Sequence, residues 1–189
     1  AVAQATAQAV EAPRVLSAEA RALVDRVEAS GELRRLLEIR VPELIAYQNA
    51  AYAGEYVDFV HRVAQVEVER APGSVGLAES VARHLHKLMA YKDEYEVARL
   101  HLDAAMAAQL QAKFGQKIRT YWHLHPPLLR ALGLKKKIRL GAWFAPAFQM
   151  LKAMKGLRGT AFDPFGYAEV RKVERELIGE YRQIIETAL

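Results

Sequence analysis

The stretch LAESVARHLHKLMAYKDEYEVARLHL, residues 77–102, decides the fold class. Its apolar side chains recur mostly at steps of three, four or seven residues, the spacing that places side chains on one face of a helix. The stripe consists of Leu77, Val81, Leu85, Leu88, Tyr95, Ala98 and Leu102. The pattern predicts one long amphipathic helix from about Leu77 to Leu102.

Turn-forming residues and prolines divide the rest of the chain into further predicted helices. Before the long helix, one helix is predicted to begin at Ser17 and to end at Ser30–Gly31. A helical pattern resumes at Glu32 and is predicted to be interrupted at Pro42. A new helix is predicted to start at Pro42 and to run to about Arg70. After the long helix, three more helices are predicted. The first runs from Asp103 to Phe114–Gly115, the second from Pro146 to Met154–Gly156, and the third from Asp163–Pro164 to about Thr187.

Two short runs depart from the helical pattern. Residues 117–124 and 137–140 alternate in polarity and contain β-branched and aromatic side chains, which are typical of strands. The predicted fold is therefore mainly α, an irregular multi-helix domain with a small β-hairpin-like insertion around 116–145. Residues 1–13 are predicted to be a linker or disordered segment, and residues 14–189 a single helical domain.

Composition excludes several classes of chemistry. The 189 residues include no cysteine, so this chain can form neither a disulfide nor a thiolate-ligated zinc or iron–sulfur site. No apolar run approaches the roughly 18 residues that a membrane span requires. The first charged residue is the acidic Glu11, so the amino-terminal residues lack the basic region that is typical of a signal peptide. We expect a cytoplasmic protein without a membrane partner.

A charged cluster of five residues marks the long predicted helix: Lys92, Asp93, Glu94, Glu96 and Arg99. Lys92 with Glu96 and Glu96 with Arg99 have the spacings at which charges pair along a helix. The cluster is either a docking face with a partly buried ion network or a solvated helix flank. Tyr91 and Tyr95 flank the charges, and exposing their rings to water is costly, which favours a partly buried network. Both interpretations nevertheless stay open.

Three other groups of residues are candidate sites. The turn of Arg158, Gly159, Thr160 and Asp163 is either an anion-binding loop or a helix cap with a turn. His123 and His125, two apart on a predicted strand, point the same way but have no evident third metal ligand. His84 and His86 are weaker metal candidates, because side chains two residues apart on a helix diverge. Lys135, Lys136, Lys137 and Arg139 suit an acidic partner or nucleic acid, but no nucleic-acid motif accompanies them.

Four stretches of the sequence are distinctive: Ala46–Ala53 (AYQNAAYA), Lys87–Leu100 (KLMAYKDEYEVARL), Gly156–Gly166 (GLRGTAFDPFG) and Glu174–Tyr181 (ERELIGEY). Together they resemble the helical domain that closes the indolepyruvate ferredoxin oxidoreductase chain or its smaller subunit. The resemblance covers about residues 35 to 187. Where the family usually reads His-Leu-Ala-Pro-Pro, this chain has His125 in place of the alanine, so only His123 is kept as a candidate from this motif.

The resemblance implies a parent enzyme that oxidatively decarboxylates arylpyruvates to acyl-coenzyme A. It implies thiamine diphosphate and iron–sulfur clusters in that enzyme and ferredoxin as its electron acceptor. None of the family's thiamine or cysteine motifs occurs in this sequence, so we expect no cofactor, metal or catalytic residue in this chain.

The expected role is a non-catalytic structural or docking domain, with the catalytic domains or subunits of the same oxidoreductase as partners. The alternative is a basic helical module that binds an acidic protein or a nucleic acid, since the net charge is +5. Nucleic acid is the less expected partner. The sequence leaves open which 2-oxo acid is oxidised, whether the catalytic domains are fused to this one, and the oligomeric state.

Overall fold

A computed structural model describes residues 15–74, 76–115, 121–124, 136 and 138–189. The predicted linker at 1–13 therefore lies outside the described residues. The helices are α1 (Ala18–Val24), α2 (Gly31–Tyr47), α3 (Ala50–Arg70), α4 (Gly76–Met89), α5 (Glu94–His101), α6 (Ala104–Phe114), α7 (Ala145–Ala153) and α8 (Glu169–Ala188). Two strands, β1 (Trp122–Leu124) and β2 (Ile138–Leu140), and two 3-10 turns, Ala142–Phe144 and Met154–Leu157, complete the described elements.

The prediction of a mainly α fold with a small β element is confirmed. β1 and β2 pair antiparallel, with Trp122 opposite Leu140 and Leu124 opposite Ile138. The chain divides into two compact units, and the boundary along the sequence falls between Arg83 and His84, inside α4. Because this boundary falls within one continuous helix, the division does not test the prediction of a single helical domain over 14–189, which stays a prediction. In the described part of the chain, no helix combines the length and the apolar character needed to cross a membrane.

The first unit is built on α1, α2, α3 and the start of α4. Its core consists mainly of aliphatic side chains with two tyrosines: Leu23, Val24, Val27, Leu33, Leu36, Leu37, Val41, Leu44, Tyr47, Tyr56, Val57, Val60, Val63 and Val81. The hydroxyl of Tyr56 donates to the carbonyl oxygen of Ala82 at 2.8 Å, which satisfies both polar groups in the interior.

Two predicted boundaries in the first unit are wrong. The helix that begins at Ser17 ends at Val24 rather than near Gly31. There the N–H groups of Arg26 and Val27 bond to the carbonyls three residues back, which tightens the last turn and places Val27 in the core.

The predicted helix start at Pro42 is also wrong, because α2 runs through this proline and ends at Tyr47. Proline in a helix interior removes one hydrogen bond. Val41 and Leu44 beside it are fully buried, so the packing of this face outweighs the loss. The real break lies at Asn49, whose side chain accepts from the N–H of Tyr52 at 2.9 Å and caps α3.

The amino terminus of α4 is held by a buried carboxylate. Glu67, near the end of α3, accepts from the N–H groups of Leu77 at 2.8 Å and Ala78 at 2.7 Å. The hydroxyl of Ser74 donates to the same carboxylate at 2.7 Å. One side chain thus satisfies donors that the first turn of a helix leaves without an internal partner.

The second unit contains the rest of α4 and everything that follows. Phe148 of α7 is buried, and its ring lies 5.2 Å from that of Trp122, 5.3 Å from that of His101 and 4.9 Å from that of Phe144. These aromatic contacts join α5, β1 and α7. The capping of α6 by Asp103 and its end at Phe114–Gly115 are confirmed, as is the helix predicted near 146–154.

Candidate functional site

Asp93 divides the long helix that the sequence predicts over 77–102. α4 ends at Met89, and α5 begins at Glu94 with Asp93 as its N-cap. The carboxylate of Asp93 accepts from the N–H of Glu96 at 2.8 Å, the bond expected of an N-cap. The prediction of one continuous helix is wrong here for two reasons. An aspartate favours the capping position of a helix, and the Asp93 carboxylate also accepts hydrogen bonds from a residue far along the chain.

That distant residue is Arg158. Its Nε and Nη2 atoms donate to the two carboxylate oxygens of Asp93, the second bond at 2.9 Å. Both side chains are almost wholly buried, with exposed fractions of 5% for Arg158 and 3% for Asp93. A bidentate pair of this kind is well suited to burial, because two parallel hydrogen bonds offset part of the desolvation of both charges.

Tyr95 connects this ion pair to the turn at Asp163. The guanidinium carbon of Arg158 lies 5.5 Å from the centre of the Tyr95 ring, within the range of a cation–π contact. The Tyr95 hydroxyl donates to the Asp163 carboxylate at 3.0 Å. Burial raises the pKa of the Tyr95 phenol, and the nearby carboxylate of Asp163 raises it further, so the group stays a protonated donor.

Asp163 organises the loop before α8 instead of starting that helix. Its carboxylate accepts from the N–H of Gly159 at 2.9 Å and from that of Phe165 at 3.1 Å. A side-chain Cβ at Gly166 would lie 2.7 Å from an Asp163 oxygen, so only glycine fits there. The predicted helix start at Asp163–Pro164 is therefore wrong, and α8 begins at Glu169.

The turn residues predicted from the sequence use their polar groups internally. Arg158 is paired with Asp93, and the N–H of Gly159 is bonded to Asp163. The hydroxyl of Thr160 donates to the carbonyl of Leu157 at 2.8 Å and accepts from the N–H of Phe162 at 3.2 Å. Of the two sequence interpretations, this geometry favours a structural turn over an anion-binding loop.

Glu96 and Arg99 form the second ion pair of the cluster. The guanidinium of Arg99 donates two hydrogen bonds to the Glu96 carboxylate, at 2.8 and 2.7 Å. Glu96 is buried, with an exposed side-chain fraction of 7%. Lys155 lies near this pair: burial lowers the pKa of its ammonium group, and the positive charges of Arg158 and Arg99 lower it further.

Lys92 does not take the place that the helical spacing predicts. It precedes α5, is exposed, and has no salt bridge to Glu96 within the described ranges. Because the helix is interrupted at Asp93, the spacing of four residues between Lys92 and Glu96 no longer brings the two side chains onto one face. The predicted network therefore contains Glu96 and Arg99 without Lys92.

Glu94 belongs to a third group of charges, centred on Arg171 of α8. Arg171 donates to Glu174 at 2.6 Å and to Glu94 at 3.4 Å, and its guanidinium carbon lies 6.0 Å from the centre of the Tyr91 ring. Burial raises the pKa of Glu94 above its ordinary value, and the positive charge of Arg171 offsets only part of that rise. Sequence reasoning missed Arg171, although its spacing of three residues to Glu174 is a recognisable helical pair.

These residues form what we call the polar network: Asp93, Glu94, Tyr95, Glu96, Arg99, Arg158, Asp163 and Arg171. They join α5, the loop before α8, and α8 itself within the second unit. Each ionised side chain in the polar network has an oppositely charged or hydrogen-bonding partner inside it or in an adjacent turn of helix. Such an arrangement holds α5, the loop before α8 and α8 in fixed positions, and its charges are used in contacts within the protein.

The histidines lie in different surroundings. His101, which sequence reasoning did not select, packs against the rings of Trp122 and Phe148, and burial lowers its pKa. His123 belongs to β1, with its backbone opposite Arg139, and His125 lies outside the described residues. His86 is buried in α4, whereas His84 is exposed. The part of the chain that is described contains no cluster of three or more potential metal ligands.

Comparison with known proteins gives a family but no function. No curated protein and no solved structure matches this chain. A family model described as a family of unknown function, DUF6537, matches residues 33–189, a range that includes the whole polar network and most of the first unit. The chain therefore belongs to the DUF6537 family, whose function is unknown.

Proposed function

We propose that this chain is a non-catalytic structural and docking domain of an indolepyruvate ferredoxin oxidoreductase. The observation that carries the non-catalytic part is the polar network. A catalytic acid, base or anion-binding group must be able to engage a substrate. Asp93, Arg158 and Asp163 instead bond one another or neighbouring backbone, through side chains that are at least nine-tenths buried.

The parent enzyme is proposed from the resemblance of four sequence stretches. Two of them, Lys87–Leu100 and Gly156–Gly166, supply most of the polar network: Asp93, Tyr95 and Glu96 come from the first, and Arg158 and Asp163 from the second.

In this proposal the cofactors belong to other parts of the enzyme. A chain without cysteine cannot supply the thiolates that ordinarily hold an iron–sulfur cluster, so thiamine diphosphate, the clusters and the ferredoxin contact are assigned to the catalytic domains or subunits. The enzyme acts in the cytoplasm, and this domain contacts its catalytic partners there.

A reconstitution experiment tests the proposal. The purified chain is combined with the catalytic portion of an indolepyruvate ferredoxin oxidoreductase, and the complex is sought by size-exclusion chromatography. Viologen reduction with indolepyruvate and coenzyme A is measured for each component and for the mixture. We expect no turnover by the chain alone, co-elution with the catalytic portion, and a longer half-life of its activity on heating.

Two results would contradict the proposal. Arylpyruvate-dependent dye reduction by the chain alone would show that it is catalytic. Failure to associate with the catalytic portion, together with retention on DNA that weakens steeply as salt is raised, would favour the basic module instead. The reading frame next to this sequence gives a further check, since the proposal expects thiamine-binding or ferredoxin-oxidoreductase domains encoded with it.

A further inference from the structure

Helix α8 carries an apolar stripe that the second unit leaves open to solvent. The stripe consists of Val170, Val173, Leu177 and Ile184, whose exposed fractions are 49%, 44%, 41% and 65%. Steps of three, four and seven residues place these side chains within about 60° of one another around the helix axis. Between Val170 and Ile184 the stripe extends for about 21 Å.

Three arginines of α8 lie on its inner side, and three of its glutamates lie on its solvent side. Arg171, Arg175 and Arg182 point into the second unit, where they bond to Glu94, to the carbonyl of Gly166 and to the sulfur of Met89. Glu169, Glu176 and Glu180 are exposed, and their spacing of seven and four residues aligns them along the solvent side of the apolar stripe. Glu169 pairs with the exposed Lys172 at 3.6 Å, so Glu176 and Glu180 supply most of the negative charge. The stripe therefore has an acidic edge, although the chain as a whole has a net charge of +5.

We infer that the stripe is a docking site for an amphipathic helix of another polypeptide segment with lysines or arginines along one flank. Apolar residues of that helix cover Val173 and Leu177, and its basic flank lies beside Glu176 and Glu180. The pairing follows the rule for helix–helix seams, in which apolar positions interlock and flanking charges select the partner.

A second copy of this chain fits the stripe less well. In an antiparallel two-fold pair of helices, equivalent flanks face each other. The acidic edges of both copies would then be opposed, and like charges in that arrangement repel. A stripe of about 21 Å by about 10 Å also offers only about 200 Å², well below the roughly 800 Å² per partner of a stable free interface.

The small area points to a partner that is held nearby by other contacts, since tethering raises the effective concentration of the second helix. The inference thus deepens the docking role proposed above and rests on it. It does not depend on which enzyme is the parent, so its test uses a peptide instead of oxidoreductase domains.

The test measures peptide binding to the whole 189-residue chain by fluorescence anisotropy. The probe is a labelled synthetic helix of about three heptads, with leucine at the a and d positions and lysine at e and g. A matched probe carries glutamate in place of the lysines. We expect the lysine probe to bind at least about tenfold more tightly than the glutamate probe, and its affinity to fall as salt is raised.

Variants of the chain locate the binding. Leu177→Asp should weaken binding of the lysine probe by about tenfold or more. Val68→Asp is the matched control, because Val68 is also an exposed helical valine, 59% exposed on α3, and its replacement should leave binding unchanged. The double substitution Glu176→Lys and Glu180→Lys should abolish or reverse the preference between the two probes.

Absence of binding by the lysine probe at chain concentrations up to about 1 mM, the effective concentration that a short tether supplies, overturns the inference. Binding that Leu177→Asp leaves unchanged also overturns it. So does a dimer in sedimentation velocity that Leu177→Asp dissociates, because the stripe would then be occupied by a second copy. If the catalytic portion co-elutes with the chain and with Leu177→Asp alike, while the probe does not bind, the proposed function stands and the docking site does not. Probe binding without co-elution supports the docking site and contradicts the proposed parent enzyme.

Discussion

Replacement of Asp93 by Asn tests whether the buried ion pair holds the second unit together. Asparagine is as good an N-cap as aspartate, so the bond to the N–H of Glu96 is retained. The charge opposite Arg158 is removed, and that guanidinium stays in a site where its exposed fraction is 5%. Removing one partner of a buried pair costs about 3 kcal/mol or more, because the remaining charge is desolvated without compensation.

The assay is urea denaturation followed by tryptophan fluorescence, because both tryptophans, Trp122 and Trp143, lie in the second unit. We expect Asp93→Asn to lower the free energy of unfolding by about 3 kcal/mol. This corresponds to a melting temperature about 6–12 °C lower for a chain of this size. Asp93→Ala should cost about 1 kcal/mol more, because the cap is lost as well.

A matched control separates the cap from the ion pair. Asp103 caps α6 with the same kind of bond, accepting from the N–H of Ala105 at 2.8 Å, but is exposed. Asp103→Ala should therefore cost only about 1 kcal/mol. Adding Arg158→Met to Asp93→Asn removes the stranded charge and should recover much of the loss. If Asp93→Asn proves no more costly than Asp103→Ala, the ion pair is not a main support of this unit.

The remaining predictions concern other buried contacts and the response to pH. Glu96→Ala should lower the free energy of unfolding by about 2 kcal/mol, because Arg99 loses two charge-assisted bonds. Lys92→Ala should change the free energy of unfolding by less than about 0.5 kcal/mol. If the double mutant shows a coupling energy of about 1 kcal/mol or more between Lys92 and Glu96, Lys92 does belong to the polar network. Tyr56→Phe should cost about 1–3 kcal/mol in urea denaturation, since the buried carbonyl of Ala82 loses its donor; an unchanged midpoint would mean that another group takes over the bond. Burial acts to raise the pKa of Glu67, but its hydrogen bonds to the first turn of α4 outweigh that effect, so the pKa lies below its ordinary value of 4.5. Glu67 therefore contributes stability that is fully present above pH 4.5 and is lost as the pH falls through the lowered pKa; Glu67→Gln should show a smaller loss between pH 7 and pH 3, and an equal loss would contradict this account.

The helical class and two of the helix caps follow from the sequence, because both depend on local features of the chain. Apolar steps of three and four residues predict a helix wherever they occur, and Ser17 and Asp103 are caps by virtue of their own side chains. The antiparallel strands follow in the same way from alternation and β-branched residues. The proximity of Glu96 and Arg99 was also predictable, since three residues along a helix bring two side chains together.

The errors arose where distant residues compete with a local preference. Pro42 ends a helix by its own chemistry, yet the burial of Val41 and Leu44 carries α2 through it. Asp163 before Pro164 has the form of a helix start, yet its carboxylate is used by Tyr95, Gly159 and Phe165, so the helix begins six residues later at Glu169.

By itself, the sequence determined that this chain is mainly helical, that it has no cysteine chemistry, and that charges crowd between Lys92 and Arg99. Apart from the local pair of Glu96 and Arg99, only the tertiary structure decided which of those charges meet. The partner of Asp93 is Arg158, 65 residues away, and that pairing stabilises the break between α4 and α5. Helical periodicity describes neighbours within a few turns, whereas the pairing of buried charges depends on which elements pack together, and a single sequence does not contain that information in any local pattern.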